Sequence, residues 1–133
     1  MSEENVEVVE RLIAALNAGD VDQYLALCTP DVEYVGPAAE MEGVARGEGL
    51  RAYLSTLAEV ANSFRLIRIA VERLQALDGD RVLALTRLTF VPDDGAPGDQ
   101  PTASLYYFAG AKVRRIEVFL DQAEALEAAG LRE

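Results

Sequence analysis

The chain has 133 residues, half of them hydrophobic and 26% charged, with a formal net charge of −11 at pH 7 and no histidine. That length makes one domain, residues 1–133, with room for a real core. The charge excludes a phosphate-neutralising surface, because Lys112 is the single lysine and the arginines are dispersed, so no nucleic-acid partner is expected. The missing histidine removes Ser-His-Asp and Cys-His catalysis and histidine zinc sites together, leaving Asp, Glu, Tyr, arginine-supported water or Lys112 as acids and bases.

The first element is an amphipathic helix from Glu3 to Asn17. Val6, Val9, Ile13 and Leu16 fall at helical spacing, and Val8 and Leu12 widen the stripe. Ser2 is its cap and Gly19 its end. Asp20 opens a short second helix with Gln23 three residues on, as in a capping box, and Thr29-Pro30 stops it. Val32 to Val35 reads as a short strand broken by Gly36-Pro37. A loose segment follows to Gly49, in which Glu40, Glu42 and Glu48 read as solvated charge. Leu50, Leu54, Leu57 and Ala61 mark a third helix, with Tyr53 beside the stripe.

Phe64 to Leu77 alternates Ile67, Ile69 and Val71 with Arg68, Ala70 and Glu72. This predicts a strand, although a helical spacing also fits. Asp78-Gly79 signals a hairpin. Arg81 to Val91 is the next strand, apolar on both faces except at Thr86, Arg87 and Thr89. Pro92 to Gln100 is predicted as an exposed loop. Then comes the most distinctive stretch, ASLYYF and VRRIEVFLD joined at Ala109-Gly110. Ser104, Tyr106 and Phe108 share one face of its first strand, and Ala103, Leu105 and Tyr107 the other. On its second strand Ile116, Val118 and Leu120 oppose Arg115, Glu117 and Phe119. Asp121 caps a short C-terminal helix, with Glu124 three on and Gly130 at its end.

The order predicts an α+β cone: three N-terminal helices on one face of a curved, mostly antiparallel sheet, with a short helix closing the chain. The concave face leaves a pocket. The convex face is apolar too, so one layer of helices does not cover both, and a homodimer through the sheet is the expected remedy. No apolar leader or long apolar run is present, so neither a signal peptide nor a membrane partner is expected, and the compartment is expected to be the cytoplasm. There is no glycine-rich phosphate loop and no metal-ligand cluster, so no cofactor and no metal are expected. Cys28, alone and without a histidine base, reads as a small buried hydrophobe.

VVERLIAALNAGDVDQYLALCTPDVEY and, far downstream, KVRRIEVFLDQAEALEAAGL resemble the SnoaL-like, ketosteroid-isomerase-like families of the nuclear-transport-factor-2-like superfamily. The resemblance implies a cystatin-like cone with a pocket, on a fold that hosts isomerases, cyclases, epoxide hydrolases and binders. Its catalytic positions are altered here. The isomerase oxyanion tyrosine falls on Leu12, the general base on Gly36 and the second oxyanion donor near Ser104. The epoxide-hydrolase set falls on Tyr34 and Gly36, Arg87 and Thr89, and Val118, which keeps the tyrosine and the arginine and loses the acids. A cyclase-like proton transfer would draw on Asp31, Glu33, Glu117 or Asp121.

The candidate catalytic residues are therefore Asp121, Arg87 and Tyr34, with no standard set among them. Asp121 has a cap as its simpler role, and Glu117 has an arginine partner on the convex face as its simpler one. Arg87 has two readings, a salt bridge or an anchor for an anionic or carbonyl group of a ligand. The candidate pocket comprises Leu12, Leu16, Tyr34, Tyr53, Arg87, Ser104, Tyr106, Phe108, Ile116 and Val118. Three functions are weighed: a pocket protein for a small hydrophobic or aromatic molecule, an isomerase or polyketide-cyclase-like enzyme with an Asp/Glu acid-base, and a non-catalytic structural or interaction domain.

Overall fold

The computed structural model describes residues 2–36 and 45–131. Pro37, Glu40 and Glu42 lie outside the described residues. Helices α1 (Ser2–Ala18), α2 (Val21–Ala26) and α3 (Gly47–Ala61) precede the long strands, and α4 (Gln122–Ala128) closes the chain. The strands are β1 (Cys28–Val35), β2 (Ala45–Arg46), β3 (Phe64–Leu77), β4 (Arg81–Pro92), β5 (Gly98–Ala109) and β6 (Lys112–Phe119). They form one sheet in the order β2-β1-β6-β5-β4-β3. Every pairing is antiparallel except β1 with β6, which is parallel. The α+β cone is thus present, with a mixed sheet.

Local sequence explains most boundaries. Gly19 ends α1 with a left-handed φ of 71°, and the following amide of Asp20 reaches back to Ala15 O at 2.9 Å. The Asp20 side chain accepts from the backbone N–H of Gln23 and starts α2. At the β3–β4 turn, Gly79 and Asp80 both take positive φ, 77° and 57°, as a tight hairpin requires.

Other boundaries move. β1 begins at Cys28, four residues before the expected strand, and its pairing with β6 is irregular between Cys28 and Glu33. β2 was not foreseen, and α3 starts at Gly47 rather than near Leu50. The strand reading of β3 is the correct one, since it pairs with β4 from Phe64 to Leu77. The loop expected over Pro92 to Gln100 is shorter, because β5 already pairs at Gly98 and Asp99.

The two faces carry separate cores. On the concave side Val9, Leu12, Val82, Phe108 and Val113 close one end of the cone beneath the helices. On the opposite face Leu83, Ala103 and Leu105 are fully buried against Ala125, Leu126 and Ala129 of α4 and its end. The expectation that the convex face is left without a helix is corrected here: the C-terminal helix folds over its β4–β5 half. Amphipathic strands with large groups on both faces need cover on both sides, and α4 supplies part of it from within the chain.

Candidate functional site

The strand rungs step outward from the closed end. Phe108 pairs with Val113, Tyr106 with Ile116 and Ser104 with Val118, while Thr86 pairs with Thr102 across β4 and β5. At the closed end these rungs are filled by α1, so Leu12 and Phe108 are core residues and not cavity lining. Further out the helices diverge from the sheet and leave a cavity of about 510 Å³. This lies within the roughly 300–1,000 Å³ of small-molecule sites.

The cavity's helical wall is apolar: Ile13 and Leu16 of α1, and Leu54, Leu57 and Ala61 of α3. Its sheet wall bears hydroxyls at Thr86, Thr102, Ser104 and Tyr106, with Ile116 and Val118 alongside. Tyr24, Tyr34 and Tyr53 complete it, and the rings of Tyr34 and Tyr53 lie 5.2 Å apart and tilted. Seven of the ten candidate pocket residues line the cavity: Leu16, Tyr34, Tyr53, Ser104, Tyr106, Ile116 and Val118.

Arg87 is the third exception, and its place corrects the anchor reading. Thr86 and Leu88 face the cavity, so alternation turns Arg87 to the other side of the sheet. There its guanidinium holds Glu72 at 3.0 Å and Asp99 at 2.7 Å, with 40% of the side chain exposed. Both acids raise its pKa, and the bond from Arg87 helps lower that of Glu72, second to Gln122.

The carboxylates are also placed away from the cavity interior. Asp121 accepts from the N–H of Ala123 at 2.8 Å and caps α4. Asp31 is exposed and does not line the cavity. Glu33 and Glu117 join a chain of charges on the convex side. Arg46 binds Glu33 at 2.5 Å, Arg115 binds Glu33 at 2.7 Å and Glu117 at 3.5 Å, and the hydroxyl of Tyr107 donates to Glu117. The bond from Arg46, followed by that from Arg115, lowers the Glu33 pKa. Among the described residues the cavity's one acid is Asp20 at its rim, where it already caps α2.

Gly36 and Val118 lie close together: a Cβ on Gly36 would stand 3.1 Å from Cβ of Val118, so a side chain there would need Val118 to give by a few tenths of an ångström.

The phenols are held neutral. Burial raises the pKa of Tyr24 well above 10.0, helped by Tyr106 and Tyr34. Burial likewise raises Tyr34, with the neighbouring Tyr53 adding to it. Tyr106 is 6% exposed, and burial pushes it up to about 12 against a small opposing pull from the Ser104 hydroxyl. Cys28, behind this cluster, is pushed up to about 12 by burial, with Lys112 opposing. Apart from the exposed Asp20 and Arg68, the cavity therefore offers neutral donors and acceptors at physiological pH and no thiolate.

Sequence reasoning overlooked three features. Tyr24 reads as a plain apolar helix residue but reaches the cavity. Asn17, within AALNAGD, binds β3 through both amide atoms, Nδ2 to Ile69 O at 2.9 Å and Ile69 N to Oδ1 at 2.8 Å. Gln122, one residue past a capping Asp, reaches the carbonyls of both Thr86 and Thr102 at 3.1 Å. Only the Asn17 signal was accessible, as an amide in the last turn of an otherwise apolar stripe.

Residues 9–116 match the SnoaL-like domain family. The chain belongs to that family. Solved structures similar to it include an uncharacterised cystatin-fold protein from Novosphingobium aromaticivorans, 28% identical over 90% of this chain and 98% of that one, with a TM-score of 0.69. A putative SnoaL-like polyketide cyclase from Jannaschia sp. CCS1 is 22% identical over 99% and 95%, with a TM-score of 0.71. TerC, co-crystallised with polyporic acid, is 22% identical over 95% and 97%, also with a TM-score of 0.71. No curated protein matches the sequence. At 22% identity the Jannaschia protein and TerC carry the fold alone. No described helix is long and apolar enough to cross a membrane.

Proposed function

We propose that this SnoaL-like chain is a binding protein for a small, uncharged, hydrophobic or aromatic molecule. The observation that carries the reading is the cavity's chemistry. It has an apolar helical wall facing a row of neutral hydroxyls, with no described carboxylate inside and Arg87 on the opposite side of the sheet. An aromatic or alicyclic body suits the apolar lining of Leu57 and Ile116, and a hydroxyl or carbonyl on it suits the threonine, serine or tyrosine hydroxyls. The charged residues of the lining, Asp20 and Arg68, are both exposed, so an ionised group carried into the apolar interior would lose its hydration. The test is a thermal-shift screen of the purified protein against steroids, terpenes and aromatic polyketides, with polyporic acid included because TerC was co-crystallised with it. Neutral members should raise the melting temperature in proportion to log concentration. A panel with no shift, or with shifts confined to anions, overturns the reading.

A proton-transfer enzyme of the isomerase or cyclase kind is the second reading, favoured by the buried phenols as hydrogen-bond donors to a developing oxyanion. It needs a base that the described cavity lacks, and turnover of a polyketide or enone ketone by the wild type would establish it over simple binding.

The homodimer is likewise a proposal. Beside α4 the convex face keeps a half-buried strip of Leu85, Tyr107 and Phe119 next to the charge chain of Arg46, Glu33, Arg115 and Glu117. Opposite charges side by side suit pairing with a second copy. Light scattering at micromolar concentration should give twice the chain mass, and the single-chain mass excludes it.

A further inference from the structure

The rung formed by Thr86 and Thr102 is the cavity's least explained feature. Both side chains face the cavity from neighbouring central strands. Their Oγ1 atoms lie 2.6 Å apart, and Thr86 is only 4% exposed. Each hydroxyl has one proton and two lone pairs. When one donates to the other, the second hydroxyl keeps a proton with nowhere to go. Among the described residues neither hydroxyl has another hydrogen-bond partner. The cavity neighbours Ile69, Leu88 and Val118 offer no side-chain acceptor, and neither threonine is bonded to the Ser104 hydroxyl. Whichever threonine keeps it, that proton takes its acceptor from outside the chain, from water or from an oxygen of a bound molecule.

The pair is also held from behind. The backbone carbonyls of these same two residues accept Nε2 of Gln122 at 3.1 Å each. Gln122 is the first residue of α4, and α4 packs on Leu83, Ala103 and Leu105 next to that rung. A ligand oxygen arriving at the threonines therefore meets a donor whose position is already set, which lowers the ordering cost of the contact.

We infer that the Thr86–Thr102 pair is the recognition point for a ketone or ether oxygen on the bound molecule, donating one hydrogen bond to it, with Gln122 as the positioning residue. The inference rests on the pocket reading above and sharpens it: the ligand is an oxygenated ring compound and not a bare hydrocarbon.

The test is calorimetric titration of the full chain with a matched pair, 1-tetralone and tetralin, which differ by one carbonyl oxygen. The wild type should bind the ketone about tenfold more tightly, the value of one well-made neutral hydrogen bond. The double variant Thr86→Val/Thr102→Val, which removes both donors, should bring the two affinities within about twofold by weakening ketone binding. Thr86→Ser, which keeps the hydroxyl, should keep the preference and guards against a folding defect in the double valine variant. Gln122→Ala should reduce the preference without changing tetralin affinity, which a purely structural role would not do. Equal binding of both compounds by the wild type overturns the inference and leaves the pocket reading standing. So does a preference that survives the double valine variant, or one abolished by Tyr34→Phe instead. Binding of neither compound overturns the inference together with the pocket reading.

Discussion

Replacing Asn17 by alanine should loosen the seam between α1 and β3 and cost the protein about 1–2 kcal/mol. The magnitude follows from two hydrogen bonds at 2.9 and 2.8 Å, both to Ile69 in the unpaired edge of β3 and both partly buried. Each such bond contributes about 0.5–1.5 kcal/mol net, so losing both removes ~1–3 kcal/mol. Alanine in the last turn of α1 returns about 0.5 kcal/mol of helix propensity. For a chain of this length the net loss lowers the melting temperature by ~4–7 °C. Urea unfolding with an unchanged m-value measures it. Hydrogen exchange at the Ile69 amide gives the local readout, since that N–H loses its acceptor and should exchange faster than the amides of the β4–β5 ladder. A stability change below about 0.5 kcal/mol with the Ile69 amide still protected would refute the assignment of Asn17 as the pin of the edge strand.

Leu105→Ala, at a fully buried site under α4, should destabilise by about 2–5 kcal/mol in chemical unfolding; a loss near zero would mean that α4 does not cover the sheet in solution. Cys28, with its thiol pushed up to about 12, should react with an aromatic disulfide at pH 8 only after the protein is unfolded, and rapid labelling of the native chain contradicts its burial. Glu33 has a folded pKa below its ordinary 4.5, through the bonds from Arg46 and Arg115. Its contribution is therefore complete above that value and is lost as pH falls through the lower folded value. Glu33→Gln should accordingly show a shallower loss of stability than the wild type between about pH 5 and 3, and parallel curves would show that the charge chain carries no pH-linked stability. Tyr106, pushed up to about 12 from 10.0, works in the opposite direction. Its ionisation is easier in the unfolded chain, so stability should fall as pH rises above about 10, and an absorbance titration showing every tyrosine ionising near 10 would place these phenols in water.

Periodicity and capping are local properties, and here they determined much by themselves. The alternation of Ile67, Ile69 and Val71 with polar residues marked β3, and Asp20 with Gln23 marked the start of α2. The parity of Ser104, Tyr106 and Phe108 told which residues of β5 share a face, because side chains on a strand alternate whatever the strand packs against. What alternation cannot supply is the register between strands distant in sequence. Val82 pairs with Tyr106 and Thr86 with Thr102, and only that pairing tells that the even-numbered residues of β4 face the cavity. A one-residue slip inverts the face of a whole strand, which is why Arg87 reads as a ligand anchor in the sequence and stands as an ion-pair residue on the outer face in the fold. The depth of each residue along the cone was also decided by tertiary packing: Leu12 and Phe108 share their stripes with Leu16 and Tyr106, yet α1 lies close enough at that end to fill the space. The direction in which α4 turns after Asp121 completed the outer face, and it brought Gln122 behind the threonine pair. These are contacts between segments far apart in the chain, Leu12 and Phe108 among them, and no short stretch of chain contains the energy that selects them.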